Sequence, residues 1–301
     1  MPLANSPRVA VIGLGSMGFG MATALLRAGL HVTGCDVVPA TVERFVAGGG
    51  KGAATLAAAV KAADVVVTVV VNAAQTEAVL FGPDGAVGAM PEGSVVVSSA
   101  TMDPDIARAF AKRVEAAGRL YLDAPISGGA QRAAEGALTA LASGGRAAFA
   151  KARPALDAMA ATLYDLGDEP GQGAAFKMIN QLLAGVHIAA ASEAMAFAAR
   201  QNLDLRKVYE VITASAGNSW MFENRMPHVL DADYTPRSAV EIFVKDLVIV
   251  QDMARNARFP VPMAAAALQM FLATAASGMG RDDDASVARL YAKMGGAKLP
   301  E

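Results

Sequence analysis

The chain has 301 residues, of which 54% are hydrophobic and 18% are charged, with a formal net charge of −2 at neutral pH. This length is sufficient for two domains with buried cores. Because the net charge is close to zero and Lys and Arg form no long run, nucleic acid is not expected as a partner. The single cysteine, Cys35, excludes an internal disulfide framework and a cysteine-rich metal site.

Two segments bear on the location of the protein. The N-terminal segment Met1 to Arg8 is short and polar, and it lacks the apolar core of a signal peptide. The stretch Val261 to Met279 is the most apolar one, but it is mostly alanine and contains Gln269 and Thr274. It therefore favours a buried core helix over a membrane span. We expect a cytoplasmic protein without a membrane partner.

The first half of the chain alternates short β-branched runs with alanine-rich helical stretches. The runs are apolar without strict alternation, which is typical of strands that are buried on both faces. They are Val9–Ile12, His31–Asp36, Asp64–Val71, Ser94–Ser98, Arg119–Leu122, Ala137–Ser143 and Thr162–Leu166. This order predicts an α/β fold with a doubly wound, largely parallel sheet of the Rossmann type.

The pattern changes near Gly167, and no convincing strand follows it. One long helix is predicted from about Ala174 to Gln201. Further helices are predicted at about Leu205–Ser215, Trp220–Leu230, Ser238–Asn256, Pro262–Ser277 and Ala285–Met294. We therefore expect a Rossmann-type domain over residues 1–167 and an all-α domain over residues 168–301, joined by the long helix.

The segment Gly13-Leu14-Gly15-Ser16-Met17-Gly18 has the spacing G-x-G-x-x-G, and it lies between a predicted strand and a predicted helix. In such a turn the first glycine permits the tight bend and the second lets the backbone approach a pyrophosphate. The third lets the helix pack closely against the strand. The helix N-terminus offers amide donors and a positive dipole end to the phosphates. The six residues therefore predict a dinucleotide-binding loop.

Asp36 ends the second predicted strand of this unit. A carboxylate at this point accepts hydrogen bonds from the adenosine ribose hydroxyls and repels the 2′-phosphate of NADP. The next basic residue is Arg44, eight positions further on. The sequence therefore predicts NAD as the cofactor, and the alternative reading makes Asp36 an ordinary strand-end turn residue.

Three further segments carry a family resemblance. Asp123-Ala124-Pro125-Ile126-Ser127-Gly128-Gly129 follows a strand, Gly167-x-x-x-Gly171-x-Gly173-x-x-x-Lys177 opens the long helix, and Lys245-Asp246-Leu247 lies on a later helix. Together with Gly13–Ala22, they resemble the β-hydroxyacid dehydrogenase family over essentially the whole chain. The resemblance implies an oxidoreductase that transfers hydride between a hydroxy acid and a nicotinamide cofactor.

The resemblance implies that Lys177 is the catalytic acid/base. Oxidation of a secondary alcohol sends hydride to the nicotinamide, and a base within hydrogen-bond reach must take the hydroxyl proton. A lysine in water is protonated at neutral pH, so apolar burial or a second cation such as Lys245 is needed to favour the neutral form. The apolar neighbours of Lys177 argue against the ordinary role of a lysine on a solvated helix face.

Two segments are expected to bind the substrate. Asn180 and Gln181 share a helix face with Lys177, where they can bind substrate oxygens or orient the lysine. Many family members have Asn in place of Gln181, and the longer side chain favours a polyhydroxy acid over 3-hydroxyisobutyrate. The segment Ser127-Gly128-Gly129 would offer a hydroxyl and backbone amides to a carboxylate. The alternatives are a polar residue at the domain junction for Gln181 and a simple strand-to-helix turn for the glycines.

Four more residues are expected at the cofactor by resemblance. Thr101 matches a family segment that contacts the cofactor, and Val71 and Asn72 fall where the family lines the nicotinamide ribose. Proline is common in the family at the position of Val71. Lys245 matches a second family lysine near the nicotinamide and the substrate, and the alternative is a surface charge paired with Glu241 one turn earlier.

Other mechanisms lack the residues that they need. Lactate-type chemistry requires a His–Asp pair, and none of His31, His187 and His228 has an obvious carboxylate partner in the sequence. A zinc alcohol dehydrogenase requires Cys and His ligands that one cysteine and three histidines hardly supply, so no metal is expected. The rival from another class is a non-catalytic NAD-binding sensor or scaffold, and Lys177 argues against it.

The segments Gln181–Ala189 and Gly217–Arg225 resemble those of family members that act on L-threonate. The expected reaction is therefore NAD-dependent oxidation of a short-chain polyhydroxy acid, with L-threonate going to 2-oxo-tetronate as the leading case. The alternatives are a 3-hydroxyisobutyrate dehydrogenase and a tartronate semialdehyde reductase. The resemblance and the apolar helical domain also favour a homodimer or homotetramer formed through that domain.

Overall fold

The computed structural model describes residues 6–301, so the part of the N-terminal prediction that concerns Met1–Asn5 lies outside the described residues. The chain forms two compact units, one that ends at Lys177 and one that begins at Met178. Strands occur in the first unit, whereas the described elements of the second unit are helical. This is the architecture that the change of pattern near Gly167 predicts.

Nine strands lie within residues 6–301. They are β1 (Arg8–Ile12), β2 (His31–Cys35), β3 (Lys51–Gly52), β4 (Val65–Thr68), β5 (Val95–Ser98), β6 (Leu120–Asp123), β7 (Ile126–Ser127), β8 (Leu138–Ala142) and β9 (Ala160–Asp165). Each of the seven predicted strands is present. The two that the sequence did not reveal, β3 and β7, are two residues long and too short to show a hydrophobic pattern.

Six of these strands form one parallel sheet in the order β3-β2-β1-β4-β5-β6, which is the doubly wound order. Neighbouring residues of β4 pack on opposite faces, since Val65 and Val67 belong to one apolar cluster and Val66 to another. Burial on both faces explains why the strand runs lack alternation. The remaining strands form a separate sheet in the order β7-β8-β9, and the sequence did not distinguish it from the main one.

Eight helices connect or flank these strands. They are α1 (Ser16–Arg27), α2 (Pro39–Ala47), α3 (Leu56–Val60), α4 (Ala73–Phe81), α5 (Ala86–Ala89), α6 (Pro104–Ala116), α7 (Gly129–Glu135) and α8 (Arg146–Met159). The long helix α9 (Gln172–Arg200) follows as predicted. Its first turns belong to the sheet-containing unit, so the compact units divide ten residues after the predicted boundary at 167.

The second unit contains the five shorter helices that the sequence predicts. They are α10 (Leu205–Thr213), α11 (Trp220–Leu230), α12 (Val240–Asn256), α13 (Pro262–Thr274) and α14 (Val287–Gly295). A π-helical turn, Ala275–Met279, extends α13, and a 3₁₀ turn, Asp284–Ser286, precedes α14. The helices pack around two apolar clusters of the unit.

Two helices are long and apolar enough to span a membrane by length and composition alone, α9 and the stretch Pro262–Met279. Half of the apolar window of α9 is buried within the described chain, but only 28% of the window in Pro262–Met279 is. The latter is helical as predicted, yet it buries only one face, with Phe271 inside and Met263 and Leu272 exposed. The expectation of a fully buried core helix is therefore met on one side only.

Two adjacent carboxylates before α14, Asp283 and Asp284, bind side chains of α11 in the helical unit. Asp284 is fully buried and receives two hydrogen bonds from the guanidinium of Arg225, at 2.6 and 3.1 Å. Burial raises the pKa of Asp284 to about 6, and the charge of Arg225 opposes this rise. Nδ1 of His228 lies 2.8 Å from Oδ1 of Asp283. A His–Asp pair therefore exists, contrary to the impression from the sequence, because residues 55 positions apart meet in the fold.

That His–Asp pair is not placed for catalysis. Only 2% of His228 and none of Asp283 is exposed to solvent. Asp283 also accepts hydrogen bonds from the backbone N–H groups of Arg237 and Ala285, which ties it into the local backbone. Burial acts to raise the pKa of Asp283, but these hydrogen bonds and the one to His228 hold it below its usual range. The pair therefore connects α11 to the turn that precedes α14.

Candidate active site

The carboxyl ends of five parallel strands meet at one edge of the main sheet. Ile12 at the end of β1 lies opposite Cys35 of β2 and Thr68 of β4. Thr68 lies opposite Ser98 of β5, which in turn lies opposite Asp123 of β6. The predicted cofactor and substrate segments of this unit directly follow these strand ends, at Gly13–Gly18, Asp36, Val71–Asn72, Thr101 and Ser127–Gly129. The fold therefore brings them to the edge at which doubly wound sheets bind their ligands.

The glycine loop between β1 and α1 has the geometry that a pyrophosphate needs. Gly13 has a φ of +95°, and a Cβ there would lie 2.3 Å from the carbonyl oxygen of Val69. A Cβ on Gly18 would lie 1.9 Å from the carbonyl oxygen of Gly13. At Gly15, by contrast, no described atom beyond Gly15 and its immediate neighbours in the chain lies within 4 Å of that position, so the space there is open to a ligand.

The first turn of α1 also fits an anion. Gly15 precedes this helix, and no side chain among the described residues caps its first N–H groups. Such N–H groups and the positive end of the helix dipole bind phosphate oxygens. The loop residues therefore fit the dinucleotide that the sequence predicts.

The carboxylate of Asp36 has a structural role that the sequence did not reveal. Its Oδ2 accepts a hydrogen bond from the N–H of Leu14 at 2.6 Å, and its Oδ1 accepts one from the N–H of Val38 at 2.8 Å. Asp36 thus ties the glycine loop to the end of β2. Each oxygen keeps a further lone pair, so the predicted contact with ribose hydroxyls stays compatible with these bonds.

The other predicted cofactor residues of this edge lie at helix starts or loops. Oδ1 of Asn72 accepts a hydrogen bond from the N–H of Gln75 at 2.8 Å and so caps α4. Val71 beside it is 49% exposed, which leaves an apolar surface at the edge of the sheet. Thr101 is partly buried between β5 and α6. Their cofactor contacts stay predictions.

The Ser127-Gly128-Gly129 segment makes the turn from β7 into α7. Gly128 and Gly129 have φ values of +137° and +79°, a region that favours glycine. Beyond the adjoining backbone of the chain, no atom of residues 6–301 lies within 4 Å of a Cβ built on Gly129. The glycines are therefore required by the turn, and they also leave backbone open for the predicted carboxylate contact.

A buried carboxylate fixes the beginning of α9. Oδ2 of Asp123, the last residue of β6, accepts hydrogen bonds from the N–H groups of Gly171 at 3.1 Å and Ala174 at 2.8 Å. The hydroxyl of Ser143 accepts a third N–H, that of Gly173, at 3.0 Å. These groups satisfy N–H donors that the first turn of a helix leaves without partners. Asp123 thereby acts as a remote cap of α9.

Lys177 lies one turn after Ala174 on α9 and is only 7% exposed. Lysine is rarely buried to this extent unless it is paired or functional. The burial excludes the solvated helix face that an isolated lysine usually occupies. The backbone hydrogen bonds to Asp123 also fix the position of the Lys177 backbone relative to the edge of the sheet. The sequence alone could not show this position.

The second unit brings four polar side chains together. Nδ2 of Asn180 donates to Oε1 of Gln181 at 3.0 Å, and Nε2 of Gln181 donates to Oδ2 of Asp246. The ammonium of Lys245 donates to Oδ1 of the same carboxylate. The ion pair of Lys245 is therefore with its neighbour Asp246 and not with Glu241, the partner that helical spacing suggested.

Two other features of the described chain bear on the location of the site. A surface cavity of about 380 Å³ lies at the opposite edge of the main sheet, lined in part by the first residues of three strands, Arg8, His31 and Lys51. None of the predicted site residues lines it. Within residues 6–301, no group of three or more His, Cys, Asp or Glu side chains could hold a metal ion.

Comparisons with known proteins agree with this geometry. The sequence profile of the NAD binding domain of 6-phosphogluconate dehydrogenase matches residues 8–167. A second profile, described as NAD-binding of NADP-dependent 3-hydroxyisobutyrate dehydrogenase, matches residues 171–291. The two profiles together cover almost all of the chain that the structure describes.

Individual relatives match over nearly their whole length. The chain is 52% identical to the L-threonate dehydrogenase of Cupriavidus necator, with 98% of each chain covered. It is 46% identical to the L-threonate dehydrogenase of Escherichia coli K12, covering 97% of this chain and 96% of that one. A crystal structure of 3-hydroxyisobutyrate dehydrogenase from Salmonella typhimurium superposes with a TM-score of 0.90 and 49% identity, covering 95% of this chain and 100% of that one.

A Rossmann-type sheet with an all-helical second unit, a glycine loop and a buried lysine define a nicotinamide-dependent dehydrogenase. The chain belongs to the β-hydroxyacid dehydrogenase family. The predicted fold class, the oxidoreductase class and NAD as the cofactor are thereby confirmed. The roles of the individual site residues stay predictions.

The cap on α9 predicts a pH dependence of stability. Burial raises the pKa of Asp123 to about 6 from an ordinary value of 3.8, although hydrogen bonds from Ala174, Gly171 and Ser143 oppose the rise. Because the pKa in the folded state is the higher one, ionisation between about pH 4 and pH 6 destabilises the fold. The wild type should therefore lose up to about 3 kcal/mol relative to Asp123→Asn as the pH rises from 4 to 7.

Urea denaturation of both proteins at several pH values measures this difference. An amide oxygen can still accept the two backbone hydrogen bonds, so Asp123→Asn mainly removes the titration. All other groups titrate in both proteins and cancel in the comparison. A difference in the free energy of unfolding that stays constant from pH 4 to pH 7 would contradict the shifted pKa.

Proposed function

We propose that the protein is an L-threonate dehydrogenase, which oxidises C2 of L-threonate to give 2-oxo-tetronate with NAD as hydride acceptor. The observation that supports this substrate most is the 46–52% identity to several L-threonate dehydrogenases over 97–98% of the chain. Buried Lys177, on a helix anchored at the carboxyl edge of the sheet, supports the reaction class.

In the proposed reaction Lys177 takes the proton of the C2 hydroxyl at its Nζ atom while the hydride leaves for the nicotinamide. The bound cofactor supplies the hydride-accepting ring. In the reverse direction Lys177 returns the proton to the carbonyl oxygen, as a single acid/base must. Burial supports this role, because a lysine that is only 7% exposed is rarely an ordinary surface charge.

The remaining site residues are proposed to bind and orient the ligands. Ser127, Gly128 and Gly129 hold the substrate carboxylate through a hydroxyl and open backbone amides, while Asn180 and Gln181 recognise substrate hydroxyls. The glycine loop Gly13–Gly18 binds the pyrophosphate. Around the rest of the cofactor we place Asp36 at the ribose hydroxyls, and Val71, Asn72, Thr101 and Lys245 toward the nicotinamide side.

A 3-hydroxyisobutyrate dehydrogenase is the second candidate, because a solved structure that is 49% identical carries that description. A tartronate semialdehyde reductase is chemically related, since it acts on a three-carbon acid of the same kind. Gln181 favours the polyhydroxy acid over both, because its amide reaches farther than that of the Asn common in the family. The longer reach suits a substrate with an additional hydroxyl.

Self-association through the helical unit is also proposed, as a homodimer or homotetramer. Several large apolar side chains of this unit are exposed, including Phe197 at 64%, Phe259 at 66% and Met263 at 67%. Such surface is costly in water and is typical of subunit interfaces. Sedimentation equilibrium would report the mass, and a species of 30.7 kDa would contradict the proposal.

A cytoplasmic location is proposed because NAD and its recycling enzymes are intracellular. Fractionation of cells that express the protein would test it. Recovery of the enzyme from a membrane or secreted fraction would contradict the location without bearing on the reaction.

A panel of four-carbon and three-carbon hydroxy acids tests the substrate. L-threonate, D-erythronate, D-glycerate and 3-hydroxyisobutyrate would each be assayed with NAD and with NADP. We expect kcat/KM for L-threonate with NAD to exceed the others by at least about tenfold, which corresponds to about 1.4 kcal/mol of transition-state binding. A higher kcat/KM for 3-hydroxyisobutyrate would favour the second candidate.

Replacement of Lys177 by Ala tests the acid/base role. Turnover should fall by a factor of about 10² to 10⁴, because the hydroxyl proton loses its acceptor. NAD binding, measured by calorimetric titration, should stay nearly unchanged. Lys151→Ala, which removes an exposed lysine of the same unit, is the matched control and should retain full activity. If Lys177→Ala retained most of the activity, the assignment of Lys177 as the acid/base would be wrong.

Replacement of Asp36 tests the basis of NAD selectivity. Asp36→Asn removes the negative charge and keeps an acceptor for the glycine loop, whereas Asp36→Ala removes both. Both variants should lower the ratio of kcat/KM for NAD to that for NADP by about tenfold or more, since the repulsion of the 2′-phosphate is lost. Asp36→Ala should lower the melting temperature more than Asp36→Asn, because it removes both acceptors and not only one. An unchanged cofactor ratio in Asp36→Asn would show that another residue excludes NADP.

A further inference from the structure

The side chains of Asn180, Gln181, Asp246 and Lys245 form one continuous hydrogen-bonded chain in the helical unit. The two middle members are buried, with 7% of Gln181 and 1% of Asp246 exposed. The two end members reach solvent, since Asn180 is exposed and the side chain of Lys245 is 22% exposed. A buried pair therefore connects two accessible polar groups.

The chemistry of the buried pair fixes the orientation of the Gln181 amide. A carboxylate only accepts hydrogen bonds, so the amide nitrogen of Gln181 must face Asp246. The amide oxygen is then left to accept from Asn180, as it does at 3.0 Å. If the amide were flipped, both of these hydrogen bonds would be lost. Asp246 thereby determines, through Gln181, how the amide of Asn180 is held.

Close packing of the two helices keeps Gln181 and Asp246 within reach of each other. Gly185 lies one turn after Gln181 on α9, and a Cβ there would lie 3.0 Å from two methyl carbons of Leu247. Leu247 directly follows Asp246 on α12. Because a glycine is needed for this approach, the separation of α9 and α12 at this level is tightly limited.

We propose that Asp246 and Gln181 are positioning residues of the hydroxy-acid site, which hold the ammonium of Lys245 and the amide of Asn180 in one fixed arrangement. Asp246 binds Lys245 through one carboxylate oxygen and, through the other oxygen and Gln181, sets Asn180. The proposal rests on the proposed function, because that function places Asn180 at the substrate and Lys245 beside the nicotinamide. It assigns to Asp246 an action on Asn180 through Gln181, in addition to any contact of Gln181 with the ligand.

The length of the side chain at position 181 decides whether this series of hydrogen bonds can form. A side chain one methylene shorter, as in Gln181→Asn, draws the amide back by more than 1 Å and cannot keep both hydrogen bonds at their present lengths. Gln181→Met keeps the length and removes the amide. Asp246→Asn offers one acceptor oxygen, so it cannot accept from Lys245 and Gln181 from opposite sides.

A double-mutant cycle of Gln181→Met and Asp246→Asn tests the proposal. Each single variant should raise KM for L-threonate about tenfold with kcat within about threefold of wild type, because ground-state and transition-state binding are weakened alike. The double variant should show the same tenfold rise instead of a hundredfold one. This shortfall corresponds to a coupling of about 1.4 kcal/mol. Gln181→Asn should behave like Gln181→Met.

A matched control uses another contact that α9 makes with a helix of this unit. The hydroxyl of Tyr291 on α14 donates to Oε2 of Glu193 at 3.2 Å, and Glu193→Gln should leave KM and kcat unchanged. Melting temperatures of all variants show whether they fold. If the variants have lower melting temperatures but keep the wild-type KM, the role of the pair is purely structural and the proposal is wrong. Additive effects on KM in the cycle would also overturn the proposal.

The proposal and the proposed substrate fail in different ways. If the wild type oxidises another hydroxy acid and not L-threonate, the substrate assignment fails, and the cycle is measured with the acid that is turned over. If the wild type oxidises L-threonate but Gln181→Asn and Gln181→Met keep its KM, the substrate assignment stands and the positioning role is wrong.

Discussion

The buried carboxylate of Asp123 is the constraint on which the arrangement of the site depends. It lies at the end of β6 and binds the first N–H groups of α9, so a helix of 29 residues starts at a fixed point on the sheet. The approach is close, since a Cβ on Gly173 would lie 2.2 Å from the carbonyl oxygen of Leu141. Lys177 follows within one turn of the anchored residues. Its position on the sheet therefore depends on the small residues at the start of the helix. The glycines permit the contact, and the contact fixes the position of Lys177.

The glycine loop shows a similar coupling between packing and ligand binding. Gly13 and Gly18 are required by their neighbours in the protein, whereas Gly15 faces open space. Asp36, which the sequence presents as a ribose ligand, also holds the loop through the N–H of Leu14. The carboxylate to which we assign cofactor selectivity therefore also holds the loop geometry. A change of cofactor preference at this position consequently requires another acceptor for that N–H.

Much of the fold could be predicted from the sequence, because its elements are long and have distinct hydrophobic patterns. The seven longer strands, α9 and the five later helices lie close to their predicted positions. The sequence did not reveal β3 and β7, whose two residues each carry no pattern, or the separation of the second sheet. Candidate site residues on each element could be named from spacing and family resemblance. Contacts between distant residues could not, and Asp123 with Gly171, His228 with Asp283 and Gln181 with Asp246 are of this kind.

Part of the likeness to L-threonate enzymes rests on the Gly217–Arg225 segment. Several polar side chains of this segment make contacts within the protein. Ser219 caps α11, Asn218 donates to Glu223, and Arg225 neutralises the buried Asp284. These three side chains make hydrogen bonds within the protein itself, so similarity at their positions indicates a shared scaffold. Discrimination among hydroxy acids is then expected from other groups, and the accessible ones among them can contact a ligand directly. In the helical unit, Asn180 and Lys245 meet that condition, and the buried Gln181 and Asp246 determine how they are presented.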